Sequence, residues 1–213
     1  NQQIEVSSTA ATLPSSFGFG DVLPAGLKNT LALNPALFGK DKVANLEAFS
    51  NQAATVREAL RMPQGGSVQI TAKGVTVNAD IEAAGGAIVL NAKQGIDDTP
   101  APLDVVVADG VTLSARGAWV NDLPSPAAGT GEVALLNGGK ITLTATDDVE
   151  LGKNTLVDVT GGGRVKANGK ITAGKGGDIK LEAGAGGAVK LGGELSGYGL
   201  DKGTTMGPLH SPA

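Results

Sequence analysis

From residue 65 onward the chain repeats a short unit: Gly, aliphatic, x, aliphatic, x, small, sometimes with one residue inserted after the glycine. It reads GGSVQITA, GVTVNA, GGAIVLNA, GVTLSA, GGKITLTA, GGDIKLEA and GGAVKLGG. Side chains on a strand alternate between its two faces. Val68, Ile70 and Ala72 therefore share one side, as do Ile141, Leu143 and Ala145, and Ile179, Leu181 and Ala183. Ser67, Gln69, Thr71, Lys140, Thr142, Lys180 and Glu182 take the other. The pattern predicts half-buried strands of four to six residues closed by glycine-rich turns.

The intervals between strands predict how they assemble. Ile141, Val165 and Val189 follow at steps of 24, Val149, Ile171 and Leu195 at 22 and 24, and Val157 to Ile179 at 22. Val68, Ile88 and Val111 follow at 20 and 23. Three interleaved ladders sharing one period predict three short strands per coil and about six stacked coils, an all-β parallel β-helix. The competing architecture, an antiparallel sandwich, predicts turns every 8–12 residues but not three ladders in step. The step of 30 from Val111 to Ile141 adds a side loop at 121–132, which Pro124 and Pro126 keep out of a strand. A smaller excursion is expected at 97–102.

Glycine, 33 of 213 residues, is concentrated after residue 63, where 29 of the 33 fall. Phe17, Phe19, Phe38 and Phe49 all precede that point, and only Trp119 and Tyr198 follow it. The shift predicts an irregular N-terminal region over 1–63, the β-helix over 64–203 and a non-repetitive tail over 204–213. Within the first region Val43, Leu46, Phe49, Ala53, Val56 and Leu60 recur at steps of three and four, predicting one amphipathic α-helix over about 41–61. Asp41 would cap its start, and Pro63 with Gly65 would end it. Lys42, Asn45, Gln52, Arg57 and Glu58 would form a polar face of mixed charge, so the helix is expected to cover the stack's N-terminal end or flank.

A net charge of −4 and a pI near 5.0 argue against nucleic acid or an anionic membrane as the main partner. No apolar run approaches the eighteen or so residues of a spanning helix, so membrane insertion is not expected. Zero cysteines exclude disulfides and thiolate chemistry, and the lone His210 disfavours imidazole-based metal sites and triads. With no initiating Met and no signal segment, the chain is expected to be a mature or internal fragment of a longer protein.

Asp147, Asp148 and Glu150, with Asp97 and Asp98, are the acidic groups that a β-helical polysaccharide lyase or hydrolase would draw on. Adjacent aspartates on an alternating strand point apart, which favours turns over catalysis. The same acids lack the spacing of a calcium loop. The glycine runs 161–163 and 174–177 lack a phosphate-loop pattern. No catalytic residue, metal ligand or cofactor is expected. Two surfaces remain as candidates for contact. One is a loop comprising Trp119, Asn121, Asp122, Leu123, Pro124 and Ser125. The other is a basic stripe of Arg164, Lys166, Lys170 and Lys175.

The stretch Ala72–Ala92, then GVTLSARGAWVNDL, GGKITLTATDDVEL, ITAGKGGDIKLEAGAGG and LGGELSGYGL, resembles the large filamentous haemagglutinin-like exoproteins of Gram-negative bacteria. The resemblance covers Gly65–Leu200. The Trp119-Val120-Asn121-Asp122 patch and Tyr198-Gly199-Leu200 are its more distinctive parts. It implies a right-handed parallel β-helix, export through an outer-membrane two-partner transporter, and a secreted rod at the bacterial surface. Neighbouring coils of the parent protein, and a host or bacterial receptor or glycan, are the partners it implies. The family's secretion module carries an Asn-Pro-Asn type motif, whereas this chain has Asn34-Pro35-Ala36-Leu37. That departure favours an internal shaft segment. A carbohydrate-active enzyme and a trimeric fibre are the other expectations.

Overall fold

A computed structural model describes residues 3–8, 15–95, 101–123 and 135–199. It is all-β, and parallel sheets dominate it. The chain visits three sheets in the same order again and again. A first circuit runs β3 (Asn45–Phe49), β4 (Ala54–Val56) and β5 (Leu60–Arg61). The second runs β6 (Ser67–Ala72), β7 (Val75–Val77) and β8 (Ile81–Glu82), and the third β9 (Ala87–Ala92), β10 (Val105–Val107) and β11 (Thr112–Ser114). After β12 (Trp119–Asn121) comes the fourth: β13 (Lys140–Ala145), β14 (Val149–Leu151) and β15 (Leu156–Asp158). The hairpin β16 (Gly163–Val165) and β17 (Ile171–Ala173) precedes the fifth, made of β18 (Asp178–Ala183), β19 (Val189–Leu191) and β20 (Glu194–Ser196).

Each strand pairs in parallel with its counterpart one circuit away. The first sheet runs β3-β6-β9-β13-β18, and the third β5-β8-β11-β15-β20. The second also carries β1 (Gln3–Val6) and β2 (Thr30–Leu33), giving β2-β1-β4-β7-β10-β14-β19. This arrangement is compatible with a parallel β-helix. It places identical positions of the repeat above one another: Leu46, Val68, Ile88, Ile141 and Ile179 form one column, and Ala48, Ile70, Leu90, Leu143 and Leu181 the next. Most of these side chains are shielded from solvent until the last circuit. Burying a Val, Leu or Ile completely contributes about 1.5–3 kcal/mol. A single circuit cannot exclude water, so the stabilisation arises only from stacking.

The paired glycine ahead of β6, β9, β13 and β18 has a steric cause. A Cβ on Gly86 would overlap the carbonyl oxygen of Gly66, one on Gly139 that of Gly86, and one on Gly177 that of Gly139. The backbones of successive circuits touch at this corner, leaving no room for a side chain.

Two sequence expectations need correction. Residues 41–61 do not form a helix; they hold β3, β4 and β5, and Asp41 has a positive φ of 61° rather than a cap conformation. The buried set is Leu46, Ala48, Ala54, Val56, Leu60 and Met62, while Val43 and Phe49 are exposed. Short alternating strands separated by tight corners put apolar residues at intervals that overlap those of a helix. The strand pairing also continues across Pro63, since β3, β4 and β5 pair with β6, β7 and β8.

The ladders, too, have another register. Ile141, Val165 and Val189 lie in three different sheets, as do Val149, Ile171 and Leu195, while Val157 and Ile179 lie in two. Val68 and Ile88 are true partners, but Val111 belongs to neither. Ile141 stacks on Ile88 at a step of 53 residues and on Ile179 at a step of 38. The excursions between strands differ in length, so a constant period links the wrong residues.

Candidate interaction surface

β12, β16 and β17 form a fourth, three-stranded side sheet in the order β12-β16-β17. β12 and β16 pair in parallel, and β17 returns antiparallel to β16, the one antiparallel pairing among the described strands. Trp119 stands opposite Gly163, which stands opposite Ala173. Alternation then puts Trp119, Asn121, Val165 and Ile171 on one face, and Val120, Arg164 and Thr172 on the other. Trp119 is 55% exposed, and no bulky side chain occupies the neighbouring register positions.

The expected contact loop and basic stripe meet in this sheet. Arg164 Nε donates to Asp122 Oδ2 at 2.7 Å, and the Asp122 N–H donates to the Val165 carbonyl at 2.8 Å. The Asp122 carboxylate raises the Arg164 pKa above its ordinary value, first through the hydrogen bond and then through charge attraction. Asn121 Oδ1 accepts the Leu123 N–H at 3.1 Å and shapes the exit from β12. Pro124, Ser125, Asp97, Asp98 and His210 lie outside the described residues. Lys166 and Lys170 flank the β16–β17 turn, whereas Lys175 lies beyond the sheet, where its N–H donates to Asn137 Oδ1 at 2.9 Å. The four cations therefore divide into a paired Arg164, two facing lysines and a separate corner residue.

The acidic groups are occupied by structural bonds. Asp147 Oδ2 accepts the Leu103 N–H at 3.0 Å, one circuit back, and Asp148 Oδ1 accepts the Ala188 N–H at 2.8 Å, one circuit forward. Lys190 lies 2.7 Å from Asp148 Oδ2 and 3.8 Å from Glu150 Oε2. The hydrogen bond from Lys190, then that from Ala188, holds the Asp148 carboxyl below the usual carboxylate range. Beside them is an open depression of about 300 Å³ lined by Asp109, Glu150, Lys153 and Lys190. Among the described residues no group of three or more His, Cys, Asp or Glu is placed to hold a metal ion. No described helix is long and apolar enough to cross a membrane.

Sequence reasoning missed a run of corner carboxylates and amides. Asp80, Asp104, Asp109 and Asn137 accept the backbone N–H groups of Thr112, Asp148, Lys153 and Lys175, each in the following circuit or its flanking corner. The signal was an Asp or Asn at these four corners, a common turn preference that does not reveal which distant N–H it will meet. No family model matches the chain, and neither does any curated protein or solved structure.

Proposed function

We propose that this chain is a length of shaft from a large secreted bacterial exoprotein of the filamentous haemagglutinin-like kind. In this reading it is a right-handed parallel β-helix at the cell surface, exported by a two-partner transporter, with a side sheet that presents contacts to a host or bacterial surface. The unequal state of the two ends carries the reading. At the first end β1 and β2 extend the second sheet, and the buried Phe38 joins the core. At the other end β18, β19 and β20 are outermost in their sheets, with Val189, Leu191 and Leu195 exposed at 40%, 56% and 40%. Their counterparts one circuit earlier, Val149, Leu151 and Val157, are exposed at no more than 2%. Three parallel strand edges above bare aliphatics complement a further circuit of the same pattern.

The test is a variant in which residues 138–199 are repeated in tandem. A further circuit should slow amide hydrogen exchange in β18, β19 and β20 and raise the unfolding temperature. Unchanged exchange there would defeat the shaft reading. Adhesion is tested separately, by whether the purified chain binds bacterial or epithelial cells saturably.

A further inference from the structure

The sequence contains the dipeptide Asn-Gly twice, at Asn137-Gly138 and Asn168-Gly169. In such a pair the glycine nitrogen closes a five-membered ring when it bonds to the Asn side-chain carbon, and the missing Cβ leaves that approach unhindered. The two copies occupy opposite settings. Asn168-Gly169 is the tip of the side sheet. The Lys166 N–H donates to the Lys170 carbonyl at 2.8 Å, so these residues continue the register of Val165 with Ile171, and Ala167, Asn168 and Gly169 form a three-residue loop between them. The Gly169 N–H donates to the Lys166 carbonyl at 2.8 Å, and Asn168 Oδ1 accepts the Lys170 N–H at 3.1 Å. Both bonds are internal to the loop. Both residues are exposed, and nothing lies within 4 Å of where a Gly169 Cβ would stand.

Asn137-Gly138 makes the same two kinds of bond, but to a distant stretch of chain. Asn137 Oδ1 accepts the Lys175 N–H at 2.9 Å, and the Gly138 N–H donates to the Lys175 carbonyl at 2.9 Å. A Cβ on Gly138 would overlap the Val159 carbonyl oxygen, and one on the next residue, Gly139, that of Gly86. Asn137 is itself exposed, so exposure does not separate the two sites. Freedom of the backbone does. Turning the Gly138 nitrogen toward the Asn137 side chain requires packed backbones of successive circuits to part, whereas turning the Gly169 nitrogen requires only a local opening of the loop.

We propose that Asn168 is a site of spontaneous deamidation, selected over Asn137 by the fold. The Gly169 nitrogen bonds to Asn168 Cγ while its proton passes through solvent to the side-chain amide nitrogen, which leaves as ammonia. Water then adds to one carbonyl of the cyclic imide. Breaking the ring bond to Cγ gives aspartate, and breaking the bond to the main-chain carbonyl carbon gives isoaspartate. Either product places a carboxylate in the loop between two opposed lysines, a position where like charges face each other, and adds one negative charge to the −4 of the chain. Aspartate keeps an oxygen to accept the Lys170 N–H. Isoaspartate adds a methylene to the main chain and breaks the register of Lys166 with Lys170. The tip of the side sheet therefore loses basic charge with age, and in one direction only. This inference is independent of the shaft reading.

The experiment incubates the intact chain in mildly alkaline buffer, folded and in guanidinium chloride, and samples it over time. Cleavage on the N-terminal side of Asp places the two sites in separate peptides, 122–146 with Asn137 and 158–177 with Asn168. Mass spectrometry follows the replacement of NH2 by OH in each. Aspartate adds a cut before residue 168, and isoaspartate does not. In the folded chain Asn168 should convert about tenfold faster than Asn137 or more, the factor that a hydrogen bond between circuits imposes on a reaction of the opened form. In guanidinium chloride the two rates should converge. Asn168→Gln, with an unchanged unfolding temperature, should abolish the change in peptide 158–177. Equal rates in the folded chain, faster conversion at Asn137, or a folded Asn168 that stays intact while the denatured chain converts would each overturn the proposal. So would a selectivity that persists in guanidinium chloride, since local sequence would then account for it.

Discussion

Asp104 and Asp148 are links of one chain of hydrogen bonds. Asp104 Oδ1 accepts the Asp148 N–H at 2.9 Å, and Asp148 in turn accepts the Ala188 N–H at 2.8 Å and holds Lys190. Three successive circuits are thereby joined at one corner, outside the regular strand ladders. Each carboxylate satisfies a backbone donor at the point where a strand begins, where a pairing partner is otherwise absent.

This arrangement makes stability depend on acid in a defined direction. The folded Asp148 carboxyl is held below its ordinary value, so its contribution is fully present above about pH 4 and is lost as pH falls through the folded value. Urea midpoints measured from neutral pH down into the acid range should fall for the unaltered chain. Asp148→Asn should show a shallower fall and a lower midpoint at neutral pH.

Gly139 should tolerate no side chain. Because a Cβ there overlaps the Gly86 carbonyl oxygen, the two circuits must separate at their closest backbone approach. Gly139→Ala is expected to cost about 3 kcal/mol, the upper part of the range for overpacking, read as a lower urea midpoint.

The same truncation should have unlike effects at adjacent levels of one column. Leu151 is 2% exposed and pairs with Leu191, which is 56% exposed. Leu151→Ala is expected to destabilise by about 2–5 kcal/mol and Leu191→Ala by less than about 1 kcal/mol. Chemical denaturation of both variants measures the contrast.

Thr142 offers a stabilising change. Its hydroxyl is buried without a hydrogen-bond partner, and Val89 is its neighbour in register. Thr142→Val removes an unsatisfied group of similar shape and should raise stability by about 1 kcal/mol, visible as a higher unfolding temperature.

The strands themselves were legible because alternation is local: GGKITLTA and GGDIKLEA announce β13 and β18, which pair residue for residue from Lys140 with Asp178 to Ala145 with Ala183. Register was not legible, because it depends on which excursion each circuit makes. The chain takes 20 residues from Val68 to Ile88 and 53 from Ile88 to Ile141. The helix expected over 41–61 failed for a related reason: the corners between β3, β4 and β5 leave gaps in the buried set Leu46, Ala48, Ala54, Val56, Leu60 and Met62, so its alternation does not read as one strand. Of the candidate surface, the residue types were visible and one juxtaposition was not. Arg164 and Asp122 are 42 positions apart, and only the pairing of β12 with β16 brings them to 2.7 Å.

The indifference of Ile88 and Ile141 to the chain length between them has a practical meaning. Closing a longer loop costs little, about 0.6 kcal/mol for each doubling, so the excursions between strands, unlike the tight glycine corners, act as sockets that accept foreign sequence without disturbing the columns inside. A peptide epitope grafted between Lys166 and Lys170 would be displayed on an unchanged scaffold, and diversity could accumulate there while the interior stays fixed.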